Sequence, residues 1–298
     1  VFPPFAIDTA VMPRVALATC AALPQLDHED TPLVPALRRA GIDGVPLVWT
    51  DPAVDWSAHD LVIVRTTWDY PNKIAAFLAW TERVAAARPL WNPAPILRWN
   101  TDKRYLRELS AWGVPIVPTR WFERGSAADL PELLADERWA NAVLKPVVSA
   151  GARRTRLVAP DTVGAGARFL SEQLTQRAMM VQPYVAEVST VGELSLLYFN
   201  GRFSHAVRKI PAAGDFRVQT EHGGRVLAVQ PTVAELAAGQ RVLDALAEDT
   251  LYARVDLLPT SDGVLRLLEL EVTEPSMFLR WDADAPDRFA AAIRERLG

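Results

Sequence analysis

Several things are scarce in this 298-residue chain, and each scarcity removes a class of chemistry. There is one cysteine, Cys20, and there are four histidines. An internal disulfide is therefore excluded, no zinc-type spacing or Ser-His-Asp arrangement stands out, and Cys20 has no evident partner base that would make it a nucleophile. The net charge is −4, without any polybasic block, which leaves no general field for nucleic acid or an acidic membrane surface. No apolar run approaches the ~20 residues of a membrane span, so the cytoplasm is the expected location. The chain also lacks G-x-x-x-x-G-K-[ST] and a strand-bound G-x-G-x-x-G, so neither a Walker loop nor a dinucleotide fingerprint accounts for any phosphate site. No repeat is visible, and the sequence leaves homo-oligomer formation open.

Half the residues are hydrophobic, enough for about two domains with sizeable cores. The opening "VFPPFAIDTAV" (1–11) reads as an extension, either foreign to the natural chain or upstream of its fold, because Met12 directly precedes the first strand pattern. From there "RVALAT", a helical "PLVPALRRAG" closed by Gly41, "VPLVWT" and "DLVIV" predict a small parallel α/β domain. Pro89, Pro93 and Pro95 mark a boundary, after which "TDKRYLRELSAWG" reads as a helix stopped by Gly113. Next come a hairpin from "AVLKPVV" and "RTRLV", a helix near 163–177, the strand "MMVQPYV", sheet-rich sequence, and a closing helix from about Pro286.

The stretch "RVDLLPTSDGVLRLLELEV" carries the strongest chemical signal. A two-residue turn at Asp262-Gly263 pairs Ser261 with Val264 and, counted outward, sets Asp256 opposite Glu269 and Arg254 opposite Glu271. Leu268, Leu270 and Val272 then face the core. Opposed carboxylates repel, so a cation between them is expected, and an all-oxygen set suits Mg2+ shared with phosphates. A second turn, at Asn200-Gly201, pairs Phe199 with Arg202 and Glu193 with Arg208, leaving Lys209 on the opposite face from Arg208. His205, among apolar neighbours, reads as structural. Lys103, near a helix start, and Lys145, on a strand before a Ser149-Ala150-Gly151 turn, are candidate phosphate ligands. Arg217 lies in a loop. Arg65, Thr66 and Asp69 follow a strand at its carboxyl end, where α/β sheets place ligands, with Arg65 a candidate fork for a carboxylate and Asp69 for an ammonium.

Taken in order, Lys103, Lys145 with its turn, "VQPYVAEVSTVGE", "RKIPAAGDFR", Asp256 and "LELEVTEPS" resemble the ATP-grasp superfamily, specifically its glutathione-synthetase-like branch. The resemblance runs from about Asn100 to Trp281. It implies an α/β ATP-grasp fold: an N-terminal α/β substrate domain (12–97), a central lid (98–180) and a C-terminal sheet-rich domain (181–298). It further implies ATP phosphates on Lys103 and Lys145, adenine against Gln182 and the backbone of Tyr184 and Val185, and ribose on Glu193 or Glu187. Mg2+ would sit on Asp256, Glu269 and Glu271, with Lys209 and Arg217 facing the transferring phosphate. Glu271 stands where the family commonly has Asn, and Arg254 is placed to absorb the added charge.

The implied activity is carboxylate activation as an acylphosphate followed by nitrogen attack, on a small amino-acid-like substrate. A narrower resemblance, in "LDHEDTPLVPALRRAG" and "EVTEPSMFL", is to the cyclo-ligases that close O-ureido-D-serine to D-cycloserine. Nothing in the residues themselves separates a cyclase from a two-substrate ligase, and a nucleotide-binding regulatory module on the same fold is the non-enzymatic alternative.

Overall fold

Three sheets organise the computed structural model, which describes residues 12–212, 214–218 and 223–298. The expected extension at 1–11 lies outside the described residues. The first sheet is parallel, in the order β2-β1-β3-β4, from β1 (Arg14–Thr19), β2 (Asp43–Val48), β3 (Leu61–Thr66) and β4 (Leu90–Trp91). The near-continuous apolar runs of β1 and β3 are what a strand covered on both faces requires. Helix α1 (Leu33–Arg39) buries Leu33 and Leu37 on one face, each contributing about 1.5–3 kcal/mol by burial. Gly41 follows it at φ +72°, ending the helix as expected. Helix α2 (Ile74–Ala87) covers the other face, placing Phe77 and Trp80 against Trp49 and Trp56.

The proline-rich boundary is not loop throughout. Pro95 opens α3 (Ala94–Asn100), where its missing N–H costs nothing, and α4 (Tyr105–Ala111) follows, stopped by Gly113 at φ +88°. The second sheet, β5-β8-β6-β7, is antiparallel. Its strands are β5 (Arg120–Phe122), β6 (Ala142–Pro146), β7 (Arg156–Val158) and β8 (Met179–Pro183), backed by α5 (Leu130–Asp136) and α6 (Val163–Leu174). This sheet extends through residue 183, past the expected cut at 180/181.

A short helix α7 (Glu187–Thr190) leads into the third sheet, ordered β11-β10-β9-β12-β13. It comprises β9 (Glu193–Phe199), β10 (Arg202–Ile210), β11 (Arg225–Ala228), β12 (Tyr252–Pro259) and β13 (Leu265–Glu271). Between β11 and β12 lies α8 (Val233–Asp244), opened by a capping box in which Thr232 Oγ1 accepts from Glu235 N–H and the Glu235 carboxylate accepts from Thr232 N–H. The T-x-x-E pattern announces that start in the sequence. Helix α9 (Ala285–Glu295) packs on α1, so one apolar core joins the first and third sheets through Leu17, Ile63, Phe199, Tyr252 and Phe289.

Both expected hairpin registers needed correction. At 260–264 the turn is wider than two residues: Gly263 N–H bonds Thr260 O at 2.8 Å, Thr260 N–H bonds Val264 O at 3.1 Å, and Gly263, at φ +78°, has positive φ while Asp262 does not. Near the tip this pairs Pro259 with Leu265. A bulge then leaves Leu268 without a partner, and the pairing beyond it is Asp256 with Glu269 and Arg254 with Glu271. The expected opposition is present, reached through two compensating irregularities. Leu268 does not join the core; it turns into the cleft, and Leu267 is buried instead. In the other hairpin Phe199 does pair with Arg202, but a bulge at Ser204 shifts the rest. Glu193 therefore lies opposite Lys209 and not Arg208, whose guanidinium bonds Glu235 at 2.9 Å.

Candidate active site

A cleft of about 460 Å³ opens between the second and third sheets and is closed at one end by loops of the first. Lys103, Lys145, Ser149, Gly151, Gln182, Tyr184, Val185, Glu193, Lys209, Arg217, Asp256, Glu269 and Glu271 all line it. The antiparallel sheets bring in Lys145, Gln182, Glu193, Lys209, Asp256, Glu269 and Glu271 from β6, β8, β9, β10, β12 and β13, and turns and loops supply Lys103, Ser149, Gly151, Tyr184, Val185 and Arg217.

At the end near β6, Lys103 Nζ lies 2.8 Å from both Ser149 O and the Glu269 carboxylate, and the Lys103 N–H bonds Val147 O at 3.0 Å. These bonds tie the start of α4 to the β6–β7 turn, where Gly151 takes φ +61°. Burial would lower Lys103, but Glu269 outweighs it and holds the ammonium charged. Lys145 is different. It is 8 % exposed, has no ion pair or hydrogen bond to its Nζ among the described residues, and is pushed below its ordinary pKa by burial despite the nearby Glu269. A buried cation without a direct ion pair leaves room for an anion against it.

Beside it lies an apolar slot of Val117, Val188 and Leu258, flanked by Tyr184, Val185 and Leu268. Gln182 borders this slot, with its Nε2 donating to Thr119 Oγ1 at 2.9 Å. The Tyr184 N–H is already spent on Asn141 O, also at 2.9 Å.

The acidic face is laced with cations. Asp256 accepts from Ser195 Oγ at 2.5 Å and from Arg254 Nη2 at 2.9 Å, and Lys209 Nζ lies 3.3 Å away. Burial would raise this carboxyl, yet Arg254 and Lys209 hold it well below the usual carboxylate range. Lys209 also pairs with Glu193, and Arg254 with Glu271. Even so, burial and the neighbouring Glu269 and Asp256 bring Glu271 up to about 7 against the pull of Arg254. Glu274, 8 % exposed, is raised to about 8 by burial and then by Glu271.

Among the described residues no three His, Cys, Asp or Glu side chains lie close enough to cage a metal. The donors nevertheless fit a divalent cation bound together with phosphates. They are oxygen-only, Asp256 and Glu269 face each other across the strand pair, and neighbouring carboxylates add to the burial that raises Glu271 and Glu274. Arg217 lines the cleft from the loop after β10, held to Asp215 at 2.8 Å.

Three expected substrate residues lie elsewhere. Arg65 is fully buried, with Nε donating to Asp30 at 2.8 Å, Nη2 to Pro275 O at 2.9 Å, and its guanidinium over the rings of Tyr252 and Phe289. Thr66 Oγ1 meets Thr19 Oγ1 at 2.6 Å. Asp69 is taken by the Trp49 indole N–H at 2.7 Å and Lys73 at 2.8 Å. The same loop sends Trp68 and Tyr70 into the cleft instead, joined by His28, Glu274 and Phe278. The quoted "LDHED" and "EVTEPSMFL" segments contain three of these residues, His28, Glu274 and Phe278, but alternation gives no signal for loop side chains.

Two facing sheets over a cleft of lysines and carboxylates define the architecture of a nucleotide-using ligase. The family of prokaryotic glutathione synthetase ATP-grasp domains matches residues 127–283, and that of the D-cycloserine synthetase DcsG N-terminal domain matches residues 15–92. The cycloserine biosynthesis protein DcsG of Streptomyces lavendulae is 34 % identical over 95 % of this chain and 98 % of its own. The crystal structure of D-cycloserine synthetase DcsG superposes with a TM-score of 0.87, at 32 % identity, covering 96 % of this chain and all of that one. A glutathione synthetase of Bradyrhizobium diazoefficiens is 28 % identical over 74 % of this chain and 67 % of its own. The chain belongs to the ATP-grasp superfamily, in its glutathione-synthetase-like branch and close to D-cycloserine synthetase, and is an ATP-dependent ligase forming a carbon–nitrogen bond.

Proposed function

We propose that the chain closes O-ureido-D-serine to D-cycloserine. The observation that carries this reading is that the likeness to D-cycloserine synthetase continues through the first sheet, whose loops close the substrate end of the cleft. In this reading Lys103 and the unpaired Lys145 receive the ATP phosphates beneath the Ser149–Gly151 turn. The Val117–Leu258–Leu268 slot takes adenine beside Gln182, Tyr184 and Val185, and Glu193 takes the ribose. Asp256, Glu269 and Glu271 would hold Mg2+, which neutralises phosphate charge when bound.

The substrate carboxylate attacks the γ-phosphorus, and the bond to the bridging oxygen breaks with its electrons leaving on ADP. Lys209 and Arg217 stabilise the charge that develops on the phosphoryl oxygens. The nitrogen bonded to oxygen in the ureido group then attacks the acyl carbon, and phosphate departs with the C–O electron pair. One water removes the carbamoyl group as carbon dioxide and ammonia. Since nucleophile and activated carbon share one molecule, their effective concentration is high without a second substrate.

The test incubates the enzyme with Mg·ATP and O-ureidoserine of each hand, with no added amine, and follows ADP and the ring product by mass spectrometry. The D form is expected to give both. ADP release only on adding an amine or amino acid, with no ring from either hand, would replace the cyclase by an intermolecular carboxylate–amine ligase.

A further inference from the structure

The cleft carboxyls Glu193, Asp256, Glu269 and Glu271 each have a cation against them, whereas the Glu274 carboxyl has no hydrogen bond or ion pair among the described residues. It is nine-tenths buried and lines the cleft. Its backbone is nonetheless firmly placed. Trp68 Nε1 donates to Glu274 O at 3.0 Å, Arg65 to Pro275 O at 2.9 Å, and Arg254 to Ser276 O at 3.3 Å. Donors from the first and third sheets thus fix the segment that carries the carboxyl and leave the carboxyl itself unused. Such a group calls for a cationic partner from outside the chain. Trp68, Tyr70 and Phe278 line the same end of the cleft, and aromatic walls suit an ammonium on a short carbon body.

We infer that Glu274 receives the α-ammonium of the substrate and makes the enzyme select a 2-amino acid over the corresponding unsubstituted acid. This rests on the reading that a small amino acid is the substrate. Together with Lys145 it gives the cleft an unmatched cation at the phosphate end and an unmatched carboxyl at the other. A second consequence concerns which nitrogen reacts: an ammonium held by a carboxylate has no lone pair, so the α-nitrogen does not compete for the acyl carbon.

The experiment titrates D-serine and 3-hydroxypropionate, which lacks the amino group, into the enzyme loaded with Mg and a non-hydrolysable ATP analogue. It compares wild type, Glu274→Gln and Glu274→Asp by calorimetry. Wild type is expected to prefer D-serine by about 10- to 100-fold, the range of a charged hydrogen bond. Glu274→Gln should abolish that preference with nucleotide affinity unchanged, and Glu274→Asp should restore part of it. Equal binding of the two ligands by wild type, or the same preference in Glu274→Gln, overturns the inference. So does loss of Mg·nucleotide affinity in Glu274→Gln, which would make Glu274 a metal ligand. If Glu274→Gln abolishes the preference while O-ureido-D-serine releases no ADP from wild type, the inference stands and the cyclisation reading falls.

Discussion

Arg65 and Arg254 are both buried, both bound to an aspartate and both laid over an aromatic ring, yet one belongs to a sealed joint and the other to an open cleft. Arg65 holds Asp30 and Pro275 O where the first sheet meets the third, and has no surface toward ligand. Arg254 spans Asp256 and Glu271 on the cleft wall, where Asp256 is held well below the usual carboxylate range and burial brings Glu271 up to about 7. The pairing chemistry is shared, so what separates a structural from a functional arginine here is the number of carboxylates crowded around it. In the reading proposed above, a bound divalent cation meets that excess of carboxylates.

The largest effect that would test this contrast is on the joint. Arg65→Met leaves Asp30 buried and unpaired, and is expected to cost roughly 3–5 kcal/mol of stability. The thermal midpoint should fall by about 10 °C while ADP release per folded molecule at low temperature stays near wild type. A normal midpoint with lost activity would move Arg65 into the site.

On the cleft side, Lys209→Ala is expected to lower kcat by roughly 10²–10³ with ATP affinity little changed, as for other positioned electrostatic groups. Lys145→Ala should instead raise the KM for ATP, since it removes the unpaired cation. Steady-state kinetics that show the reverse split would exchange the two roles.

The smallest effect uses pH and belongs to the joint again. Burial lowers His205 to about 4, against a Met277 carbonyl contact at 2.9 Å that works the other way, with Asp282 and Arg288 nearby. The unfolded imidazole, near 6.5, takes its proton first. Stability from this group is complete above that value and is lost as pH falls toward 4, by roughly 2 kcal/mol between pH 7 and pH 5. Glu271 and Glu274 titrate in the same window with the opposite sign in both proteins, so denaturant melts of wild type and His205→Gln at both pH values are read as a difference: wild type should lose roughly 2 kcal/mol relative to the variant between pH 7 and pH 5.

The contrast also marks where the sequence was legible. Strands such as "DLVIV" and "ELSLLYF", and glycine-stopped helices such as α1 and α4, announce themselves by period and punctuation. The residues of the cleft were legible when they sat on paired strands, because alternation fixes their face. Arg65 misled because position at a strand end does not reveal a partner, Asp30, thirty-five residues away in sequence. Glu193 was assigned to Arg208 because a bulge at Ser204 leaves no compositional trace. Loop residues such as Glu274 and Trp68 have no period to betray them.

The bulge at Leu268 has a further consequence, for how this chain tolerates insertion and deletion. A turn one residue wider than the minimum would rotate every side chain of β13 to the wrong face, and the extra residue at Leu268 rotates them back before Glu269 is reached. The hairpin tip at 260–264 is thereby insulated from the acidic strands beneath it. Grafting a tag or a longer loop between Thr260 and Val264 should leave the opposition of Asp256 and Glu269 in place, and deleting the unpaired Leu268 should join the pairs Leu257–Leu267 and Asp256–Glu269 into an unbroken ladder, removing a cleft side chain without turning the glutamates.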